Sequence, residues 1–239
     1  MAAAPASGGR FSPEGNRAMK FKLLFTPLLL AICLVGCAKN GQQARNDPSQ
    51  FEKAKEPPIN ANTHFAAGQL AEDRGQYAKA EYQYKKAIQQ DNKNEGALFR
   101  LGCLLASQKR YPEAMTIWQR YVNVTQGSAD AYSNLAYCEE LSGNPTAAES
   151  DYRRGITKDP KNEACRVNYG LMLARHGRIN EGILQLQAVL SPAEVHYNLA
   201  SVYELANRKE QARQEYQQAL ELDPNMIEAK AKLAQLNLN

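Results

Sequence analysis

Tryptophan occurs once in this chain of 239 residues and histidine only three times. His64, His176 and His196 have no cysteine or acidic cluster at ligand spacing, so the pattern argues no metal site. There is no Cys-x-x-Cys pair, no glycine-rich phosphate loop and no nucleophile elbow, which removes the usual signals for redox, nucleotide and acyl-transfer chemistry. Adjacent carboxylates such as Glu139 and Glu140 face different sides of a helix, so they read as solvated surface rather than as an acid–base pair. Charge of one sign is also lacking. Residues 1–36 carry a net +3 of the overall +4, and the remaining 203 residues carry 25 basic and 24 acidic side chains. A nearly neutral body leaves no electrostatic footprint for nucleic acid. The expectation is a chain that is not an enzyme, with no cofactor, no metal and no small-molecule substrate.

Long apolar runs are lacking as well. The uncharged run before Cys37, Leu23–Gly36, has fourteen residues. As a helix it spans about 21 Å, short of the roughly 30 Å hydrocarbon core of a bilayer. Lys20 and Lys22 precede it and small residues close it, which is the layout of a secretory signal. Residues 1–18 are small, Gly- and Pro-containing and aperiodic, so they are expected to be a disordered leader. Translation starting at Met19 would make that leader a start-site artefact; otherwise it is a long amino-terminal region. The signal segment, 19–36, ends in Leu34-Val35-Gly36-Cys37, which resembles the bacterial lipobox. The resemblance implies that the Cys37 thiol is diacylglycerol-modified and becomes the first residue of the mature chain. Acyl chains contribute about 0.8 kcal/mol per buried methylene, and stable anchoring takes more than one. Ala38 rather than Asp follows the cysteine, a pattern that in Gram-negative lipoproteins implies the outer membrane, facing the periplasm. Residues 37–60 are polar and close on Pro57-Pro58, and they read as a lipidated end and flexible tether.

After residue 60 the chain repeats itself. Small residues Gly68, Gly102, Ala136, Gly170 and Ala200 recur at spacings of 34, 34, 34 and 30. Twelve residues after each stands another small one: Ala80, Ala114, Ala148, Gly182 and Ala212. Four further on come Tyr84, Trp118, Tyr152, Leu186 and Tyr216. Each unit reads as helix, turn, helix, with Gly75, Lys109, Gly143, Gly177 and Asn207 at the turn. Small residues let two antiparallel helices approach, the large ones fill the space beyond, and one unit alone cannot bury its apolar face. This period and order resemble the tetratricopeptide repeat. The resemblance implies an all-α, right-handed solenoid of five repeats, at 61–94, 95–128, 129–162, 163–192 and 193–226, with a capping helix over 227–239. Two departures stand out. The fourth repeat lacks four residues before Pro192, so its second helix should end early. Tyr121 replaces the Ala87, Gly155, Val189 and Ala219 of the other repeats, and its bulk beside Trp118 should spread the neighbouring helices or turn partly outward.

In tetratricopeptide arrays the first helices line a concave groove that takes a protein segment or extended peptide. The resemblance places Asn134, Asn168 and Asn198, with Arg100, in one ladder, whose carboxamides can pair with a peptide backbone. Phe65, Phe99, Tyr137 and Tyr197 are placed to take its side chains. Asn62, Gly96, Asp130, Ala164 and Glu194 line the same face and include no lysine, which departs from the repeats that clamp chaperone carboxyl termini. Cys103, Cys138 and Cys165 fall within the helices and read as small buried apolar residues. The run from Leu190 through Pro192 to Ala200 is similar to a segment in the repeat lipoproteins of tight-adherence (Flp-type) pilus systems, which act as non-enzymatic accessory proteins. The expected function is therefore a lipid-anchored envelope scaffold in pilus assembly. The alternative is a general periplasmic adaptor that docks envelope hydrolases or outer-membrane assembly factors.

Overall fold

The computed structural model describes residues 59–238. The leader, the signal segment, Cys37 and all but the end of the tether lie outside the described residues. Eleven helices and no strand occur among the described residues. They run as α1 (Ala61–Asp73), α2 (Tyr77–Gln90), α3 (Glu95–Ser107), α4 (Tyr111–Val124), α5 (Ala129–Leu141), α6 (Pro145–Lys158), α7 (Glu163–Arg175), α8 (Ile179–Gln187), α9 (Pro192–Leu205), α10 (Lys209–Leu222) and α11 (Ile227–Leu238). Odd-numbered helices up to α9 open a pair and even-numbered ones close it. Each pair packs on itself and then on the first helix of the next pair, which makes a solenoid.

The two kinds of helix start differently, for reasons visible in the sequence. Asn60, Asn94, Ser128 and Asn162 each accept a hydrogen bond from the third amide of the helix that follows. Ser191 does so within a reciprocal box with Glu194. The second helices lack a side-chain cap; Pro112 and Pro145 occupy their first turn instead, where no amide hydrogen is needed. Between the helices of each pair one residue has positive φ: Gly75, Lys109, Gly143, Gly177 and Asn207. Between pairs, Asp91, Asp159 and Asp223 each accept from the amide two residues on, closing a tight turn. The second pair leaves differently, through Gln126 and Gly127, both at positive φ.

The core follows the repeat. Tyr84, Trp118, Tyr152, Leu186 and Tyr216 are all fully buried, as are Ala80, Ala114, Ala148 and Ala212. A β-carbon on Gly102 would lie 2.7 Å from the Trp118 ring, and one on Gly68 2.5 Å from Tyr84, so these positions are small by necessity. In the fourth pair α8 has nine residues where the other second helices have fourteen, as the missing residues require. Tyr121 is half-buried, with its ring 5.7 Å from Trp118 and 5.8 Å from Phe99. Its bulk is taken up by a three-ring cluster rather than left in solvent.

Candidate functional site

Successive first helices lie beside one another, α5 against α7 and α7 against α9, so residues at one register position form a row across them. Asn134, Asn168 and Asn198 stand in that row, with Arg100 one pair earlier. They are not equivalent. Asn134 is 9% exposed and takes no hydrogen bond from the described residues. Asn168 Nδ2 donates to Ser133 Oγ of the preceding first helix at 3.2 Å, and Asn198 Nδ2 donates to the Glu194 carbonyl of its own helix at 2.8 Å. The amide hydrogens of the last two are thus partly committed, while their carbonyl oxygens remain available as acceptors. Arg100 lies 3.7 Å from Glu72 across the first two first helices, an exposed and therefore weak pair.

The aromatic residues expected to take side chains are half-buried, and each also packs inward. The Phe65 ring covers Gly96, where a β-carbon would meet it at 2.7 Å, and lies 6.0 Å from Tyr84. Phe99 meets Trp118 edge-on at 5.6 Å, and Tyr197 lies 5.6 Å from Tyr216. Burial raises the Tyr137 hydroxyl above its ordinary pKa. These rings offer a rigid wall already held in place by the core, which suits recognition without reordering.

Two features escaped the sequence. Glu139 and Glu140 are not a solvated pair. Glu140 is held by Arg175, whose guanidinium donates both Nε and Nη2 at 2.9 Å, and its side chain is only 7% exposed. Glu139 is half-buried with Oε2 lacking any partner, and desolvation, followed by the nearby Asp151, pushes its pKa up to about 7. The reason is that Glu139 turns toward α6 at the place where Leu105 and Leu173 fill the core of neighbouring pairs. The second feature is a pair of ionic forks between second helices. Arg110 donates to Glu81 and Glu113, and Arg178 donates to Glu149 and Glu181, each with Nη bonds of 2.6 Å. The fork holds Glu81 down at about 2. The signal for the forks was present in an internal comparison of repeats, because Arg110 and Arg178 fall at one register position.

The three cysteines among the described residues are unpaired, and burial pushes Cys103, Cys138 and Cys165 up to about 12. They are inert packing groups. No group of side chains suited to a metal ion occurs among the described residues.

Comparison with known proteins agrees with this architecture. The tetratricopeptide-repeat family profiles match residues 71–136 and 193–226. The type IV pilus assembly protein PilF of Pseudomonas aeruginosa is 24% identical over 214 residues, covering 87% of this chain and 69% of that one. Its solved structure superposes with a TM-score of 0.54 at 18% identity, covering 74% of this chain and 83% of that one. The repeat protein YrrB, described as having an unusual peptide-binding site, superposes at 0.51 with 20% identity, covering 77% of this chain and 96% of that one. At these identities the superpositions establish the fold alone, a tetratricopeptide-repeat α-solenoid.

Proposed function

We propose that this tetratricopeptide-repeat chain is a non-enzymatic scaffold of the bacterial envelope, anchored through a lipid on Cys37, that holds a partner segment along its first-helix face during pilus assembly. The observation that carries the pathway is the similarity to PilF. It covers more of the chain than residues 59–238 supply, so it runs into the segment before the array instead of resting on repeat periodicity alone. The Leu190–Ala200 run favours a system of the tight-adherence kind. The row Asn134, Asn168 and Asn198 would hold the partner's backbone, with Phe65, Phe99, Tyr137 and Tyr197 as the apolar wall.

Two measurements in the native host test the reading. Cys37→Ser should leave the precursor uncut and abolish retention in the membrane fraction; normal maturation would remove the anchor. A photocrosslinking residue at Asn168 should capture pilus subunits or secretin. Capture of murein hydrolases instead would assign the chain to general envelope adaptors.

A further inference from the structure

The ionic forks between second helices do not hold every joint of the array. Arg110 donates to Glu113 of its own helix and to Glu81 of the first pair, and Arg178 does the same with Glu181 and with Glu149 of the third. A forked guanidinium bond fixes orientation as well as adding energy, so pair two is bolted to pair one and pair four to pair three. On the first-helix side Arg175 and Glu140 tie pairs three and four a second time. Between pairs two and three the fork positions hold Met115 and Asn144. That joint is closed by apolar bulk instead, since the core around Trp118 and Val122 runs on into Ala131, Leu135 and Cys138.

The joint between pairs four and five has neither device. Arg208 stands at the fork position and keeps the half within its own helix, donating to Gln211, while its guanidinium lies over the Tyr203 ring. The cross-pair half is gone, because Ile183 occupies the place of Glu81 and Glu149. Ala174 likewise occupies the place of Glu140. Bulk does not make up the difference: Leu186 replaces an aromatic ring, and α8 stops after nine residues. A crevice of about 230 Å³ stays open here, with Gly177 and Ile179 on one wall and Tyr203 and the 69% exposed Leu205 on the other. The joint of the first two pairs also leaves a crevice, but the Arg110 fork bridges that joint. Beyond the open joint the chain is tied again. Lys232 of α11 reaches Glu204 of α9 at 3.0 Å, and Tyr216 of α10 donates to the same carboxylate at 2.8 Å.

We propose that the solenoid is jointed between pairs four and five, so that α9, α10 and α11 turn as one block against the rest of the array. The contacts that remain at the joint, among them Leu171 and Leu186 with Val195, Leu199 and Val202, are apolar and carry no direction. Helices packed in this way slide by small shear steps, whereas a fork has to break first. The joint runs through the asparagine row, because Asn168 stands on α7 and Tyr197 and Asn198 stand on α9. Turning the block resets the spacing of the last rung, and a segment lying across the row holds one setting. That consequence rests on the proposed groove; the joint itself does not.

The test is pulsed electron paramagnetic resonance on the full chain purified in detergent. Spin labels are carried on genetically introduced ketone residues, which spare the native cysteines. Tyr82, Thr116, Ser150, Leu184 and Gln214 share one register position on the second helices, and all are exposed. The pairs Tyr82–Ser150 and Thr116–Leu184 each span two joints within the first four units, while Ser150–Gln214 spans one of those joints and the open one. The Ser150–Gln214 distance distribution should be wider than both others. Ile183→Glu offers Arg208 the missing acceptor and should narrow that distribution to the width of the other two. Equal widths for all three pairs in the parent chain would overturn the proposal, as would a Thr116–Leu184 distribution wider than that of Ser150–Gln214. An unchanged width in an Ile183→Glu chain that circular dichroism shows to be folded would overturn the missing fork as the reason for the joint. The parent comparison decides the proposal even where that variant fails to fold. No partner is present in the measurement, so equal widths would leave the groove reading intact, and failed capture at Asn168 would leave the joint intact.

Discussion

Gly170 of α7 and Gly182 of α8 meet backbone to backbone: a β-carbon on Gly182 would lie 2.6 Å from the Gly170 carbonyl oxygen, and one on Gly170 2.9 Å from that of Gly182. This is the fourth pair, in which α8 is short and Leu186 stands where an aromatic ring fills the other pairs. With less side chain to hold them apart, the two helices close until their backbones touch. The approach keeps a truncated unit continuous with its neighbours.

Gly182→Ala therefore sets two effects against each other. Alanine in a helix interior gains up to about 1 kcal/mol over glycine in propensity. Here the added methyl meets backbone, which cannot rotate away, and overpacking of this kind costs about 1–3 kcal/mol. The net expectation is a loss of stability in chemical denaturation. A variant more stable than the parent would show that α8 shifts freely.

Leu70 and Leu104 occupy the same register position in adjacent pairs, yet they are 51% and 4% exposed. The position faces the preceding pair, so it is buried wherever a preceding pair exists: Cys138, Met172 and Val202 are 0%, 2% and 6% exposed. Leu104→Ala should cost about 2–5 kcal/mol, as deletion in a closed core does. Leu70→Ala should stay within about 0.5 kcal/mol. Unfolding midpoints of the two variants, measured side by side, decide it; a large loss at Leu70 would mean that this end of the array is covered.

Repeat-level features were legible because each is encoded five times over. Tyr84, Trp118, Tyr152 and Tyr216 announce the buried side, and the turn residues from Gly75 to Asn207 adopt the positive φ that their places demanded. The missing residues before Pro192 likewise foretold a short α8. What stayed hidden belongs to single units. Glu139 looked like surface because its neighbour is also acidic, and only the packing of α6 shows it turned inward. The committed donors of Asn168 and Asn198 depend on rotamers, which periodicity does not carry.

The two unusual carboxyls give stability opposite dependences on pH. Glu139 has its folded pKa raised to about 7, above the ordinary 4.5, so the folded state binds the proton more tightly. Its carboxyl is tolerated below about pH 4.5 and becomes costly as pH rises through 7. Glu81 has its folded pKa lowered to about 2, so what it contributes is present above about 4.5 and is lost as pH falls toward 2. Between these groups the most favourable region lies near pH 4–5. Glu139→Gln should gain on the order of 1–3 kcal/mol at pH 8 and flatten the alkaline limb. A melting series from pH 4 to 9 on parent and variant checks this, and parallel curves would contradict the inward placement of Glu139.

The asparagine row separates binding from stability residue by residue. Asn134 is 9% exposed and has no hydrogen bond among the described residues, and its carboxamide atoms are not sealed from solvent, so they are free to pair with a partner. Asn134→Ala should leave stability within about 0.5 kcal/mol of the parent, because the carboxamide makes no protein hydrogen bond to lose. Asn168→Ala should lower stability by about 0.5–1.5 kcal/mol, since the bond to Ser133 ties α7 to α5. If the row holds a partner's backbone, both substitutions should weaken crosslinked capture by up to about tenfold, despite different effects on folding. Unfolding and capture measured on the same two variants give four outcomes, and they discriminate sharply. Capture that simply tracks stability would make the row a packing feature of the first helices. Capture lost at Asn134 in a fold as stable as the parent would leave partner binding as the reason an asparagine stands there.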